Sequence, residues 1–217
     1  MPPADRRMLM ARRRIVITGL GVVTSLGEKV DELWDKVCAG ESGIGPIRRW
    51  DVSSYPTRIG GECSDFDLMR YADEYAKLTG GERLQPKRLD RFAQFALAAS
   101  MNAVADAGLD FTKEERFRCG VVIGSGIGGI ETIEEQNKIL VSRGVSRVSP
   151  FTVPRLMANA GSGNVSILYH LHGPNTTVAT ACATGLNAIG DAARFIQHDL
   201  ADVIIAGGSE AALCELG

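Results

Sequence analysis

Residues 177–208 read TVATACATGLNAIGDAARFIQHDLADVIIAGG, and this run decides the fold. It opens on Thr177-Val178-Ala179, turns through small residues, and passes an alanine-rich helical stretch over 183–197 that ends before Asp199. It then returns to Val203-Ile204-Ile205-Ala206 and a glycine pair. Two short apolar runs with no polar partner face, joined by a helix, read as strands buried on both faces of a parallel sheet. Toward the N-terminus the pattern recurs in Cys119-Gly120-Val121-Val122-Ile123 and Ile15-Val16-Ile17, and residues 58–63 predict a short fifth strand. Helical patterns lie between. Residues 30–39 place Val30, Leu33, Trp34 and Val37 on one stripe; residues 91–107 do the same with Phe92, Phe95, Ala96, Ala99, Ala103 and Val104, and Gly108 supplies the stop. Residues 163–171 read as a further helix. Strands alternating with helices imply right-handed βαβ crossovers and an α/β fold.

The chain of 217 residues is long enough to bury a core, and its 45% hydrophobic and 23% charged residues exclude disorder as its general state. With 24 basic against 26 acidic residues, net charge gives no reason to expect nucleic acid or a membrane surface as partner. Charge-guided recognition must come from a local patch. The five cysteines have no metal-ligand spacing and read as reduced thiols. Residues 1–14 carry five arginines and no apolar core, so they are not a secretory signal, and no apolar run approaches the roughly 18 residues of a membrane span. The expected location is the cytoplasm. Residues 1–11 are expected to form a disordered extension ahead of a domain spanning 12–217. Two long polar connections, 40–65 and 143–159, are of a length that usually serves function or covers something.

Cys182 stands where the strand-like run gives way to the helix. Unpaired N–H groups and the positive dipole end at a helix N-terminus favour thiolate, the reactive form, and Ala181, Ala183 and Gly185 leave room for a substrate. This is the general form of a nucleophile elbow, with sulfur in place of hydroxyl. A small cysteine packed at a strand end would read the same way from these residues alone.

The surrounding letters go further. Ala179-Thr180-Ala181-Cys182-Ala183-Thr184-Gly185, with Ala201-Asp202-Val203 and the run on to Gly207-Gly208-Ser209-Glu210, resembles the active-site region of the type II elongating β-ketoacyl-acyl-carrier-protein synthases. The likeness continues through the opening segment 17–24, Asp90-Arg91-Phe92, the glycine-rich 124–129, Ser149-Pro150-Phe151 with Pro154, and 163–167. It implies a thiolase-like fold, the N-terminal half of an αβαβα layered sandwich with a mostly parallel mixed sheet, usually in a homodimer. It also implies decarboxylative Claisen condensation in fatty acid biosynthesis: Cys182 takes an acyl group from acyl carrier protein, and malonyl-carrier-protein loses CO₂ and extends the chain by two carbons. The Cys182 N–H is then one oxyanion donor, with the second in a C-terminal half. The family's two catalytic histidines also belong to that half, and His170, His172 and His198 do not match them. The expectation is a fragment that condenses nothing by itself, although Cys182 remains open to thiol reagents.

The resemblance assigns Ile127 as the gate of the acyl pocket, where ordinary core packing is the plainer reading. It assigns Lys87, Arg88 and Arg91 as contacts for the acidic carrier protein, where a solvated helix start is the plainer one. Gly124-Ser125-Gly126-Ile127-Gly128-Gly129 also fits the dinucleotide pattern GxGxxG, but the acidic residue about 20 positions on is missing, so no cofactor is expected. The alternatives are a polyketide ketosynthase and a non-catalytic chain-length-factor-like partner. Cys182 argues against the second, and a stand-alone start near Met10 or Arg12 leans away from a polyketide module.

Overall fold

The computed structural model describes residues 13–217, so the expectation for residues 1–11 lies outside the described residues. At its centre is strand β3 (Cys119–Gly124), preceded in the chain by a two-residue antiparallel pair, β1 (Gly45–Pro46) and β2 (Ile59–Gly60). Strands β4 (Asn175–Thr176) and β5 (Val203–Gly208) flank β3, both parallel to it. The helices are α1 (Val30–Cys38), α2 (Ala72–Leu78), α3 (Arg91–Asp106), α4 (Ile130–Arg143), α5 (Thr152–Leu156), α6 (Ala160–Tyr169) and α7 (Thr184–Gln197).

Every residue of β3 is buried, and its side chains alternate between two helix layers. Cys119, Val121 and Ile123 join Leu97, Met101, Val165 and Leu168 from α3 and α6, while Val122 faces Ala188 and Ala192 of α7. Strand β5 follows the same alternation, with Val203 and Ile205 toward α3 and α6 and Ile204 and Ala206 toward α7. The α/β reading therefore holds, with β3 covered on both faces as its unbroken apolar run requires. Leu97 is only 2% exposed in the larger cluster. Leu97→Ala is expected to lower stability by about 2–5 kcal/mol, read as a shifted urea midpoint at unchanged slope.

Three strand expectations are corrected. Residues 15–17 form no strand: Val16 and Ile17 are 68% and 77% exposed, and the segment runs against α3 instead of joining a ladder. Leu20 N–H donates to Asp106 Oδ2 at 2.8 Å, and a Cβ on Gly19 or Gly21 would lie within 2.2 Å of an α3 carbonyl oxygen. Glycine is what allows that approach. Residues 177–179 are not a strand either, because β4 ends at Thr176. There the Thr177 hydroxyl, rather than a backbone amide, donates to the Ile123 carbonyl at 2.9 Å. The predicted strand over 58–63 shrinks to β2, which pairs with β1 apart from the main sheet. The α1 stripe forms on schedule but faces outward, with Trp34 65% exposed.

The parallel register sets Cys119 against Val203 and Gly124 against Gly208, so β3 and β5 end side by side. At the opposite pole, Arg118 pairs with Asp199 and Asp202, and Arg13 pairs with the same two carboxylates. These contacts hold the Asp202 carboxyl well below its ordinary range, the Arg118 hydrogen bond being the largest cause.

Candidate active site

The nucleophile candidate lies at the carboxyl pole of the sheet. Residues Ala181–Ala183 form a single 3₁₀ turn that feeds directly into α7, and Cys182 is exposed within it. The turn is tight: Ala181 has φ +50°, a left-handed conformation that costs a non-glycine residue on the order of 1 kcal/mol or more. Thr184, buried at the first position of α7, accepts from the Thr180 N–H at 2.8 Å through Oγ1 and so ties the two sides of the turn together. Among the described residues no acceptor takes the Cys182 N–H.

Close backbone packing holds the turn against the sheet. A Cβ on Gly124 would lie 2.3 Å from Thr184 Cγ2 and 2.5 Å from the Val178 carbonyl oxygen. One on Gly208 would lie 2.8 Å from Gly185 Cα. Glycine at 124 and 208 is therefore a packing requirement of the turn's seat on the sheet.

Cys182 borders a cavity of about 610 Å³, shared with Ile127, Ser125, Gly126, Ser209 and Glu210. Ile127 is 50% exposed, so in this chain it is a cavity-lining side chain and not a core one. The turn that carries it is held by a residue to which the sequence reading gave no role. Glu210 Oε2 accepts from the Gly126 and Ile127 N–H groups at 2.8 and 3.1 Å, and Oε1 accepts from the Ser125 hydroxyl at 3.1 Å. The same Ser125 oxygen accepts from Gly128 N–H at 2.8 Å. Farther along, buried Asp90 caps α3 and accepts from both the backbone and the hydroxyl of Thr132, at 2.9 and 2.6 Å, locking the start of α4 to the start of α3. That gives Asp90 of the Asp90-Arg91-Phe92 run a structural role.

The other cysteines lie away from the cavity. Burial pushes the Cys119 thiol up to about 11 and raises Cys63 and Cys214 as well, which holds all three as thiols at neutral pH. Cys38, at the end of α1, is exposed but lies outside the cavity. His170 caps α6, His172 packs against Phe117 with ring centroids 5.2 Å apart, and His198 caps α7; none borders the cavity.

The basic cluster divides. Lys87 and Arg88 are exposed in a short turn before α3, with the Arg88 guanidinium 4.8 Å over the Phe151 ring. Arg91 does not join them. Its guanidinium donates to the Cys63 carbonyl and lies 5.6 and 5.0 Å from the rings of Phe66 and Phe95, and burial lowers its pKa. The first residue of a helix can turn either way, and here two aromatic rings draw the cation inward.

Residues 12–217 match the family model described as "Beta-ketoacyl synthase, N-terminal domain". The chain is 46% identical over 208 residues to the 3-oxoacyl-[acyl-carrier-protein] synthase 2 of Coxiella burnetii, covering 96% of this chain and 48% of that protein. It is 42% identical over 207 residues to the corresponding protein of Synechocystis, covering 95% and 48%. The chain thus spans about half the length of the curated relatives it matches. Among solved structures, the ishigamide ketosynthase/chain length factor superposes with a TM-score of 0.82 at 28% identity, covering 95% of this chain and 49% of that one. A type II polyketide acyl-carrier protein in complex with its ketosynthase bound to the hexaketide gives 0.75 at 27% identity, covering 94% and 52%.

Proposed function

The chain belongs to the β-ketoacyl synthase family, matching its N-terminal domain over residues 12–217, and from that premise we propose that Cys182 is the acyl-carrying nucleophile of a fatty acid condensing enzyme. The observation that carries the reading is an exposed thiol on a tight turn into α7, beside a cavity of about 610 Å³. The Cys182 thiolate attacks the carbonyl carbon of an acyl thioester on acyl carrier protein. The oxyanion that forms accepts from the Cys182 N–H, and collapse expels the carrier thiolate to leave an acyl-cysteine. Malonyl-carrier-protein then loses CO₂. Its enolate carbon bonds to the acyl carbon and displaces the Cys182 thiolate, giving a 3-oxoacyl-carrier-protein two carbons longer.

In this reading the groups that promote decarboxylation lie in the half of the relatives' length that this chain does not span. The step assigned to this chain's own residues is acyl transfer to Cys182. The cytoplasm and a homodimer are the setting the family implies. Fatty acid elongation is favoured over polyketide assembly because the relatives named 3-oxoacyl-[acyl-carrier-protein] synthase 2 are 42–46% identical, against 27–28% for the polyketide structures. Incubation with long-chain acyl-carrier-protein tests the reading. The protein gains the mass of the acyl group, the label maps to Cys182, and hydroxylamine removes it; a label on any other cysteine refutes the assignment.

Two further roles follow from the same reading. Ile127 gates the cavity, so Ile127→Gly is expected to shift which acyl lengths load onto Cys182, and an unchanged length profile would remove the gate. Lys87 and Arg88 meet the acidic carrier protein. Reversing both charges to glutamate is expected to weaken carrier binding about tenfold at low salt, with the difference shrinking as salt is added. Equal binding by calorimetry across that range would count against the contact.

A further inference from the structure

We propose that Glu210 is a positioning residue for acyl entry: it clamps the glycine-rich turn that carries Ile127 and so fixes the gate at the mouth of the Cys182 cavity. The inference rests on the acyl-loading reading above and adds a residue to it. Beyond Gly124 the β3 ladder stops, which leaves the N–H groups of residues 126–128 to find acceptors outside the sheet. Gly128, at φ +73°, curls the turn so that successive N–H groups converge, the arrangement that captures an anion. The anion here is internal. Because β5 ends beside β3, Glu210 emerges two residues past β5 directly opposite the turn and satisfies two of those three donors, while its partner Ser125 satisfies the third.

The local sequence is fitted to this clamp. A Cβ on Gly126 would lie 3.0 Å from Glu210 Oε2, so a larger residue there would press on the clamping carboxylate. Ser125 is 1% exposed, which makes its hydroxyl a fixed part of the turn and not a solvated one. Both carboxylate oxygens are already engaged with the turn, so Glu210 holds the backbone instead of moving protons. The clamp also has a chemical consequence: the Gly126 and Ile127 N–H groups are committed to Glu210 and are not available to a thioester oxyanion, which leaves the Cys182 N–H as this chain's donor.

The test uses the 217-residue protein, with hydrogen exchange at Gly126 and Ile127 and alkylation of Cys182 by N-ethylmaleimide and N-dodecylmaleimide, followed on the Cys182 peptide. In Glu210→Ala the two amides exchange about tenfold faster, as loss of a charge-assisted acceptor requires. The long-to-short alkylation ratio rises by a similar factor, about tenfold, while the N-ethylmaleimide rate stays near wild type. Glu210→Gln, whose carbonyl oxygen still reaches both donors, restores the wild-type ratio. If Glu210→Ala does not fold, Glu210→Asp takes its place, since it is one methylene too short to reach the turn. Exchange and alkylation ratio unchanged in the loosened variant, or equal behaviour of Gln and Asp, overturn the clamp. Faster exchange in Glu210→Ala together with a wild-type protein that takes no acyl group on Cys182 rejects the acyl-loading reading and leaves the clamp standing.

Discussion

Cys182→Ala is expected to abolish acyl loading from acyl carrier protein, a loss of at least about 10³-fold of the kind that follows removal of a catalytic nucleophile. The size of the effect follows from the absence of a substitute at the cavity. Cys63, Cys119 and Cys214 are held as thiols by burial, and among the described residues the only other exposed cysteine is Cys38, which lies outside the cavity. Cys38 is therefore the internal control. Iodoacetamide applied to the native protein at pH 8 should modify both Cys38 and Cys182 and spare Cys119, whereas the acyl-carrier thioester should load Cys182 alone. Cys38→Ala should load normally. A Cys182→Ala protein that still accepts acyl groups would place the nucleophile elsewhere.

A single methyl group at Gly124 should slow loading strongly, though less than loss of the sulfur. The added Cβ would lie 2.3 Å from Thr184 Cγ2 and 2.5 Å from the Val178 carbonyl oxygen, and the second of these is backbone that cannot rotate away. Relief requires Val178 and Thr184, on either side of the turn, to move off the sheet, which displaces the turn between them. Gly124→Ala is expected to cost about 1–3 kcal/mol in overpacking. It should slow loading of Cys182 about 10²-fold, the penalty of a displacement near 1 Å at a reacting atom. Gly163→Ala is the control, because a Cβ there meets nothing within 4 Å and α6 gains a better helix former. Loading by Gly124→Ala at the wild-type rate would show that the seam between β3 and α7 does not position the cysteine.

The elements that could be read from sequence are those whose pattern is set locally. Strands β3 and β5 and helices α3 and α7 declare themselves because burial on two faces leaves an unbroken apolar run and burial on one face leaves a stripe. The failures occur where a distant partner decides. The run at 15–17 has the composition of a strand, but Gly19, Gly21 and Asp106 commit that segment to α3. Thr177 continues β4 in composition, yet its hydroxyl takes the carbonyl that a ladder amide would have needed. Arg91 looked like part of a surface patch until Phe66 and Phe95 were placed beside it.

The site shows the same division. Cys182 and Ile127, both singled out in the sequence, line one cavity, although the strand expected just before Cys182 ends at Thr176. Glu210 stood in the quoted motif with no role, because its partners lie 83–85 positions away and no local pattern connects them. The available signal was an acid just past a Gly-Gly strand end, in a fold that sets that strand beside a glycine-rich turn.

The parallel β3–β5 pair has unlike ends: one meets the cavity, and the other is clasped by Arg118, Arg13, Asp199 and Asp202. Tolerance to engineering should be graded along the sheet accordingly. A fluorophore or surface tether attached near Leu200 would sit at the clasped pole and leave the reacting thiol facing away from the support, while the same attachment beyond β5 would obstruct it.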